Sequence, residues 1–307
     1  MSIMSNAKRA LAIAAASATL FSMAACGSSN AAGSKSDSSS AASSGKIEVV
    51  ASINQWGSVA KDLGGSNVEV TNIMAKTNVE AHDYEPTSQD VAKFGTAKVA
   101  VVNGADYDPW ATKAAKSTKA TLVTAAETTG IKEGDNPHVW FSAKVRSSTA
   151  DAITAAYQKA DPSHKDDYAK LNKDWHAKED QLESKIKEIS AKTEGLPYAA
   201  TESVAWYLAD DLKMTDATPK GYAQASANES EPTPADIKDF QDTLKAGSIK
   251  MLVFNSQEAT STTDQITGAA KDASVPIVEL TEQMPKQYTN LLDWMSALVD
   301  QFAAAVK

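Results

Sequence analysis

Short apolar runs alternate with amphipathic stretches from about residue 46 to the end of the chain. Runs rich in Val, Ile and Leu predict strands at Ile47–Ile53, Val68–Ile73, Lys98–Asn103, Ala120–Val123, Tyr198–Thr201, Ile249–Phe254 and Pro276–Leu280. Helices are predicted between them at Gly57–Leu63, Ser88–Lys93, Pro109–Ala115, Val204–Leu212, Pro234–Ala246 and Ser261–Lys271, and again at the C-terminus. Near-continuous apolar strands separated by helices are typical of parallel sheets covered on both faces. The pattern predicts an α/β fold of two lobes.

A longer amphipathic stretch, from about His164 to Lys192, separates the two series of strands. Its apolar positions recur at helical spacing, and Glu179 and Glu183 are predicted to lie on its solvated face. A helix of this length would run roughly 40 Å, enough to join two lobes. We therefore divide the folded part into a first lobe (46–160), a connecting helix (161–193) and a second lobe (194–307). The apolar positions are Tyr168, Leu171, Trp175, Leu182, Ile186 and Ile189.

The N-terminus carries a targeting pattern. Lys8 and Arg9 precede an apolar run of roughly 15 residues, shorter than the ~20 that a membrane-spanning helix needs. The run ends in Met-Ala-Ala-Cys-Gly, which resembles the lipobox of bacterial lipoproteins. The resemblance implies a signal peptide over 1–25, acylation of Cys26 and anchoring on the outer face of the cell membrane. An ordinary secretion signal with a chance cysteine is the alternative. Residues 26–45, rich in Ser, Ala and Gly, predict a flexible linker.

Net charge, cysteine content and the motifs present restrict the possible classes of function. The net charge of −9 argues against nucleic-acid binding, which needs clustered Lys and Arg. Cys26 is the one cysteine, so the exported part has neither an internal disulfide nor a thiolate ligand. The chain shows no HExxH, GxSxG or phosphate-binding glycine motif. The many carboxylates leave a glycosidase-like acid pair open, but nothing in the sequence singles one out, and we expect a protein that is not an enzyme.

Two of the four histidines lie in turn-like segments between a predicted strand and a predicted helix. They are His82 in HDYEPTSQD and His138 in NPHVWF. Ligands of open parallel sheets bind beyond the carboxyl ends of the strands, and imidazole is the commonest protein ligand for divalent transition metals. The pair is therefore a candidate metal site. His164 and His176 fall on the connecting helix, where we assign no ligand role.

Together with Asn103-Gly104, Trp110, Thr201-Glu202 and Thr281-Glu282, the two histidine segments resemble the metal-binding substrate-binding proteins of ABC importers. This family collects manganese or zinc and includes streptococcal surface-adhesin lipoproteins. The resemblance spans Lys46 to Lys307 and implies four ligands: His82, His138, Glu202 and Glu282. The position of Glu282 is usually an aspartate in the family, and Glu279 is a nearby alternative. Trp110, Trp140 and Trp206 are expected to pack in the core or the cleft wall.

The implied function is capture of a divalent ion between the lobes, followed by delivery to a membrane permease that works with an ATPase. A monomer is expected. Glu202 and the absence of histidine between residues 82 and 138 favour Mn²⁺, whereas the Irving–Williams order places Zn²⁺ above Mn²⁺. The alternatives are a surface adhesin and an exported metal-dependent hydrolase. The hydrolase would need an open coordination position and a general base.

Overall fold

The computed structural model describes residues 45–78 and 84–306. Cys26, His82 and the predicted signal peptide fall outside the described residues, as does nearly all of the predicted linker. Within these ranges the strands are β1 (Ile47–Ile53), β2 (Val68–Met74), β3 (Val99–Val102), β4 (Thr121–Thr124), β5 (Pro197–Ala200), β6 (Thr215–Asp216), β7 (Met251–Asn255) and β8 (Ile277–Leu280). The helices are α1 (Asn54–Gly64), α2 (Ser88–Thr96), α3 (Pro109–Lys116), α4 (Ala143–Ala160), α5 (Lys165–Thr193), α6 (Trp206–Asp211), α7 (Lys220–Ala227), α8 (Pro234–Lys245), α9 (Ser261–Asp272) and α10 (Leu291–Ala305).

The strands form two four-stranded sheets with equivalent topology. Their orders are β2-β1-β3-β4 and β6-β5-β7-β8, and neighbouring strands pair in parallel. Val49 of β1 is in register with Val70 of β2 and Val99 of β3, so a row of apolar side chains crosses the centre of the first sheet. The predicted fold class is confirmed: two parallel-sheet lobes flanked by helices are joined by one long helix.

Local sequence signals set several helix starts. Thr87 caps α2 and Thr233 caps α8, and each forms a reciprocal capping box with the aspartate three residues later. Helix α1 begins earlier than predicted, directly after β1, and its first residues Asn54 and Gln55 are buried. This early start brings two amide side chains to the carboxyl end of the first sheet.

The long helix α5 has 29 residues and spans about 43 Å. Its apolar face is buried at Tyr168, Trp175, Leu182, Ile186 and Ile189. Together with α10 this face contributes to one continuous cluster of buried apolar residues that includes strands of both sheets. Because both lobes share this cluster, a wide opening between them would expose apolar core.

The prediction that Glu179 faces solvent was wrong. Glu179 is buried, and its carboxylate accepts bonds from Nε and Nη2 of Arg146, with Nη2–Oε1 at 2.7 Å. Arg146 lies on α4, a helix that the sequence pattern did not predict, and it is fully buried. A buried carboxylate needs such a partner because desolvation of an unpaired charge is costly.

Helix α10 begins against α1 through polar contacts. The Ser58 hydroxyl accepts the Leu291 backbone N–H at 2.9 Å, and the Asn290 amide donates to the Asp62 carboxylate. Burial raises the pKa of Asp62 to about 6, with Lys178 opposing the shift and Asp293 adding to it. Asp62 therefore binds its proton in the folded state below about pH 6, but in the unfolded state only near its ordinary value of 3.8.

This linkage predicts a pH-dependent effect of Asp62→Asn. Ionised Asp62 disfavours the folded state above pH 6, and the disadvantage disappears as the pH falls towards 4. The variant should gain on the order of 1 kcal/mol at pH 8, a value reduced for partial solvent exposure, and nothing at pH 4. Urea unfolding at both pH values measures this. Equal effects of the substitution at the two pH values would contradict it.

In the described part of the chain, no helix has both the length and the apolar character needed to span a membrane.

Candidate metal centre

Three of the predicted ligands lie together in the cleft between the lobes. His138 comes from the first lobe, while Glu202 and Glu282 follow strands β5 and β8 of the second. One ligand atom from each residue lies within 4.8 Å of those of the other two. The Nε2 atom of His138 is 3.5 Å from Oε1 of Glu202 and 3.8 Å from Oε2 of Glu282. The side chains of His138 and Glu282 are 3% and 0% exposed.

The His138 segment is fixed by the turn that follows β3. The Asn103 amide donates to the Pro137 carbonyl at 2.8 Å and accepts from the indole of Trp56 at 2.9 Å. Gly104 continues this turn with a φ of +79°, where a Cβ would lie 2.5 Å from Thr124 Cγ2. The Asn103-Gly104 pair thus holds the backbone immediately before the histidine, which gives a physical reason for these residue types.

Asn136 contacts the imidazole of His138 directly. Its Oδ1 lies 2.9 Å from Nδ1 of the ring and also accepts the His138 backbone N–H at 2.9 Å. Tyr107 and Trp140 pack edge-on against the ring, with centroids 5.9 and 5.4 Å away. The ring is therefore confined on two sides, with Nε2 directed to the two carboxylates.

The carboxylates of Glu202 and Glu282 are joined by one amide. Asn255 Nδ2 donates to Oε2 of Glu202 at 2.6 Å and to Oε1 of Glu282 at 3.1 Å. The Tyr107 hydroxyl donates to Oε2 of Glu282 at 2.7 Å, across the cleft from the first lobe. Gln55 of α1 donates to the Glu282 carbonyl at 2.6 Å. Hydrogen bonds of this kind orient carboxylates before a cation arrives.

The spacing of these groups suits a divalent cation. Two ligand atoms about 2.1 Å from a tetrahedral ion lie about 3.4 Å apart, close to the 3.5 and 3.8 Å between His138 Nε2 and the two carboxylates. Two carboxylates brought together out of water repel each other, and a cation between them offsets that repulsion. Imidazole and carboxylate ligands serve both zinc and manganese.

The other candidate residues lie elsewhere. Glu279 is exposed on β8 and is not in the three-residue cluster. His164 and His176 bind the carboxylates of Asp161 and Asp151 at 2.6 and 2.8 Å. His82 belongs to residues that the structure does not describe.

Of the three tryptophans expected in the core or the cleft wall, two lie in or against the core. Trp140 is fully buried, and Trp110 is half-buried against the core. Trp206 is 40% exposed and lies outside the core, so its place in the cleft wall stays a prediction. Trp206 opens α6, whose buried positions are instead Leu208 and Ala209.

Sequence reasoning missed the residues that hold the ligands. Asn255 ends β7, and ligands of parallel sheets bind beyond the carboxyl ends of the strands, so this rule could have found it. Glu202 and Glu282 came from the family resemblance. Asn136 lies two residues before His138 in the NPHVWF segment, so the segment itself pointed to it. Tyr107 carries no comparable signal, because its partner Glu282 is 175 positions away in the sequence.

Comparison with known proteins covers most of the chain. Residues 49–305 match the family model described as "ZnuA: Zinc-uptake complex component A periplasmic". The high-affinity zinc uptake system protein ZnuA of Bacillus subtilis (strain 168) is 25% identical over 265 residues, 80% of each chain. The manganese ABC transporter substrate-binding lipoprotein PsaA of Streptococcus anginosus is 25% identical over 259 residues, 77% of this chain and 80% of that protein.

A solved structure has the same fold. It is that of the laminin-binding protein Lmb of Streptococcus agalactiae, described as bifunctional with adhesin and metal transporting activity. Its TM-score is 0.71 at 21% identity, and the match covers 85% of this chain and 100% of that one.

Proposed function

The chain belongs to the ZnuA family of periplasmic zinc-uptake components, and on that premise we propose that it captures one divalent transition-metal ion between its lobes and delivers it to an ABC importer. The observation that carries the proposal is the buried convergence of His138, Glu202 and Glu282 from both lobes. His82 is the proposed fourth ligand. Its assignment rests on the resemblance of its segment to the family.

The cargo proposed is Mn²⁺ or Zn²⁺. Two carboxylates suit the harder Mn²⁺, whereas the Irving–Williams order gives Zn²⁺ the higher affinity at almost any such site. Relatives with both cargoes in their names match this chain at the same identity, 25%. We expect the protein to bind either ion, with Zn²⁺ displacing Mn²⁺ in direct competition.

The proposal also includes the location of the protein, its partners and its oligomeric state. Acylated Cys26 would hold it on the outer face of the membrane, where a permease and its ATPase receive the ion. The protein would act as a monomer and perform no chemical reaction on its cargo. Four protein ligands would enclose the ion, so no position is assigned to a reacting water. The apolar cluster shared by the lobes supports small shifts of the second lobe rather than wide opening.

Elemental analysis of protein purified from its own cells, followed by titration with each ion, tests this function. We expect about one equivalent of Mn²⁺ or Zn²⁺ per chain, saturable binding of both ions, and loss of uptake of that metal in a deletion strain. Protein that neither retains nor binds a divalent transition metal would contradict the proposal. Unchanged metal uptake in the deletion strain would contradict the transport role.

A further inference from the structure

We propose that Asn136 couples the orientation of the His138 ring to closure of the cleft, an inference that rests on the proposed function. Asn136 lies at the cleft mouth on the first lobe, two residues before His138. Its Nδ2 donates across the cleft to the Ser203 carbonyl at 2.8 Å and to the Ser203 hydroxyl at 3.1 Å. Ser203 is the residue after Glu202. One side chain thus joins a ligand of one lobe to the neighbour of a ligand on the other.

The orientation of the Asn136 amide follows from its partners. The Ser203 carbonyl can only accept, so the NH₂ end must face it. The His138 backbone N–H can only donate, so the oxygen end must face His138. Both requirements give the same amide orientation, without reference to the imidazole.

The amide orientation in turn determines the tautomer of the neutral His138 ring. Because Asn136 Oδ1 can only accept, Nδ1 carries the proton in the 2.9 Å contact between them. The lone pair is then on Nε2, the atom directed at Glu202 and Glu282. A metal ligand needs this tautomer, and a hydrogen bond to the other ring nitrogen is the usual way to fix it.

A second bond crosses the cleft at the same residue. The Tyr207 hydroxyl, from α6 of the second lobe, donates to the Asn136 backbone carbonyl at 2.9 Å. If the second lobe moves away, Asn136 loses Ser203 and Tyr207 together and keeps its contacts to His138. The His138 backbone N–H still holds the amide oxygen towards the ring, but the NH₂ end is no longer anchored, so the amide becomes more mobile and its constraint on the ring weakens. By linkage, ordering the ring through metal binding favours the closed arrangement.

Three variants test this coupling: Asn136→Ala, Tyr207→Phe and, as a matched control, Asn172→Ala. Asn172 bonds the Asp151 and Thr154 side chains between α4 and α5, away from the metal centre. Affinity for Zn²⁺ alone, the rate of Zn²⁺ release to a chelator, and the ¹⁵N NMR tautomer of His138 in metal-free protein are measured. Urea unfolding establishes that each variant is folded.

We expect Asn136→Ala to lower Zn²⁺ affinity about 10–100-fold and to shift metal-free His138 towards the Nε2-protonated tautomer. The Tyr207 hydroxyl bonds the Asn136 carbonyl and not the His138 ring. Tyr207→Phe should still speed Zn²⁺ release about 2–10-fold, which corresponds to the free energy of one hydrogen bond. Asn172→Ala should change neither property.

An unchanged tautomer or an affinity within twofold of wild type in Asn136→Ala would overturn the proposal. Unchanged release in Tyr207→Phe would overturn its cross-cleft half. If the wild-type protein binds no Zn²⁺, the proposed function fails instead, and the tautomer of metal-free His138 still decides whether Asn136 orients the ring.

Discussion

Replacing Arg146 by methionine should lower the free energy of unfolding by about 3–5 kcal/mol, the usual consequence of removing one partner of a buried ion pair. The guanidinium of Arg146 is fully buried and bonds Glu179 through two nitrogens. Its third nitrogen donates to the carbonyls of Trp140 and Phe141 at 3.2 and 3.0 Å. The substitution would leave the Glu179 carboxylate buried without its cation and two carbonyls without their donor.

The Arg146 cluster, which consists of Arg146, Glu179, Glu183 and Asp211, contains more acidic than basic residues. Glu183 lies 3.3 Å from Arg146, and burial raises its pKa to about 7. Burial likewise raises the pKa of Asp211, which comes from α6 of the second lobe. Arg146, on a helix of the first lobe, therefore interacts with acidic residues of the connecting helix and of the second lobe.

Urea unfolding of three variants measures the contribution of this pair. Arg146→Met alone should show the full loss. Arg146→Met with Glu179→Met should recover part of it, since Glu179 no longer leaves an unpaired buried charge, while the Trp140 and Phe141 carbonyls still lack their donor. Lys170→Ala, in the exposed pair with Asp174, serves as the surface control and should produce no measurable change. A loss below about 1 kcal/mol in Arg146→Met would show that the cluster is effectively solvated.

Glu282→Gln should reduce affinity for Zn²⁺ by at least about a hundredfold, because loss of a ligand should exceed the 10–100-fold effect of losing a residue that only supports one. The substitution removes a charge that faces the ion. The NH₂ group of the glutamine can face the Tyr107 hydroxyl, which also accepts, while its oxygen keeps the bond from Asn255. The lost charge is therefore what weakens the site.

Glu279→Gln is the matched control, since Glu279 is the same residue type, three positions earlier and exposed on the same strand. Calorimetric titration of both variants should show wild-type affinity for Glu279→Gln. The reverse result, with Glu279→Gln weak and Glu282→Gln intact, would transfer the ligand role to Glu279 and contradict the assignment made here.

The fold followed from the sequence where burial and periodicity agree. Strands β1, β3 and β7 are apolar throughout most of their length, and α5 buries one face at helical spacing, so both kinds of element were predictable. Helix α4 was missed because its buried face carries Arg146, Thr149 and Thr154 beside small alanines. The pattern of apolar residues is therefore weak along a helix that is well buried.

Long-range pairs explain the remaining errors. Glu179 looks like a solvated helix residue until Arg146, 33 positions away, is placed against it. The candidate ligands Glu202 and Glu282 were named from the family resemblance, and the structure places each of them shortly after a strand of the second sheet. The side chains that orient the candidate ligands were harder to predict from the sequence, since the Tyr107–Glu282 bond joins residues 175 positions apart.

The proposed capture of a metal ion would depend on two features of different stability. The shared apolar core and the Arg146 cluster hold the lobes at a nearly fixed separation. The contacts across the cleft mouth, from Asn136 to Ser203 and Tyr207, are few, polar and partly exposed. Bonds of this kind contribute about 1 kcal/mol each, so closing and opening the mouth changes the free energy little.

Anomalous X-ray diffraction from crystals of the Zn²⁺-loaded protein would locate the bound ion. We predict one strong zinc peak in the cleft, about 2.0–2.2 Å from His138 Nε2 and from carboxylate oxygens of both Glu202 and Glu282. A peak outside the cleft, or one within it that His138 and the two glutamates do not contact, would contradict the account.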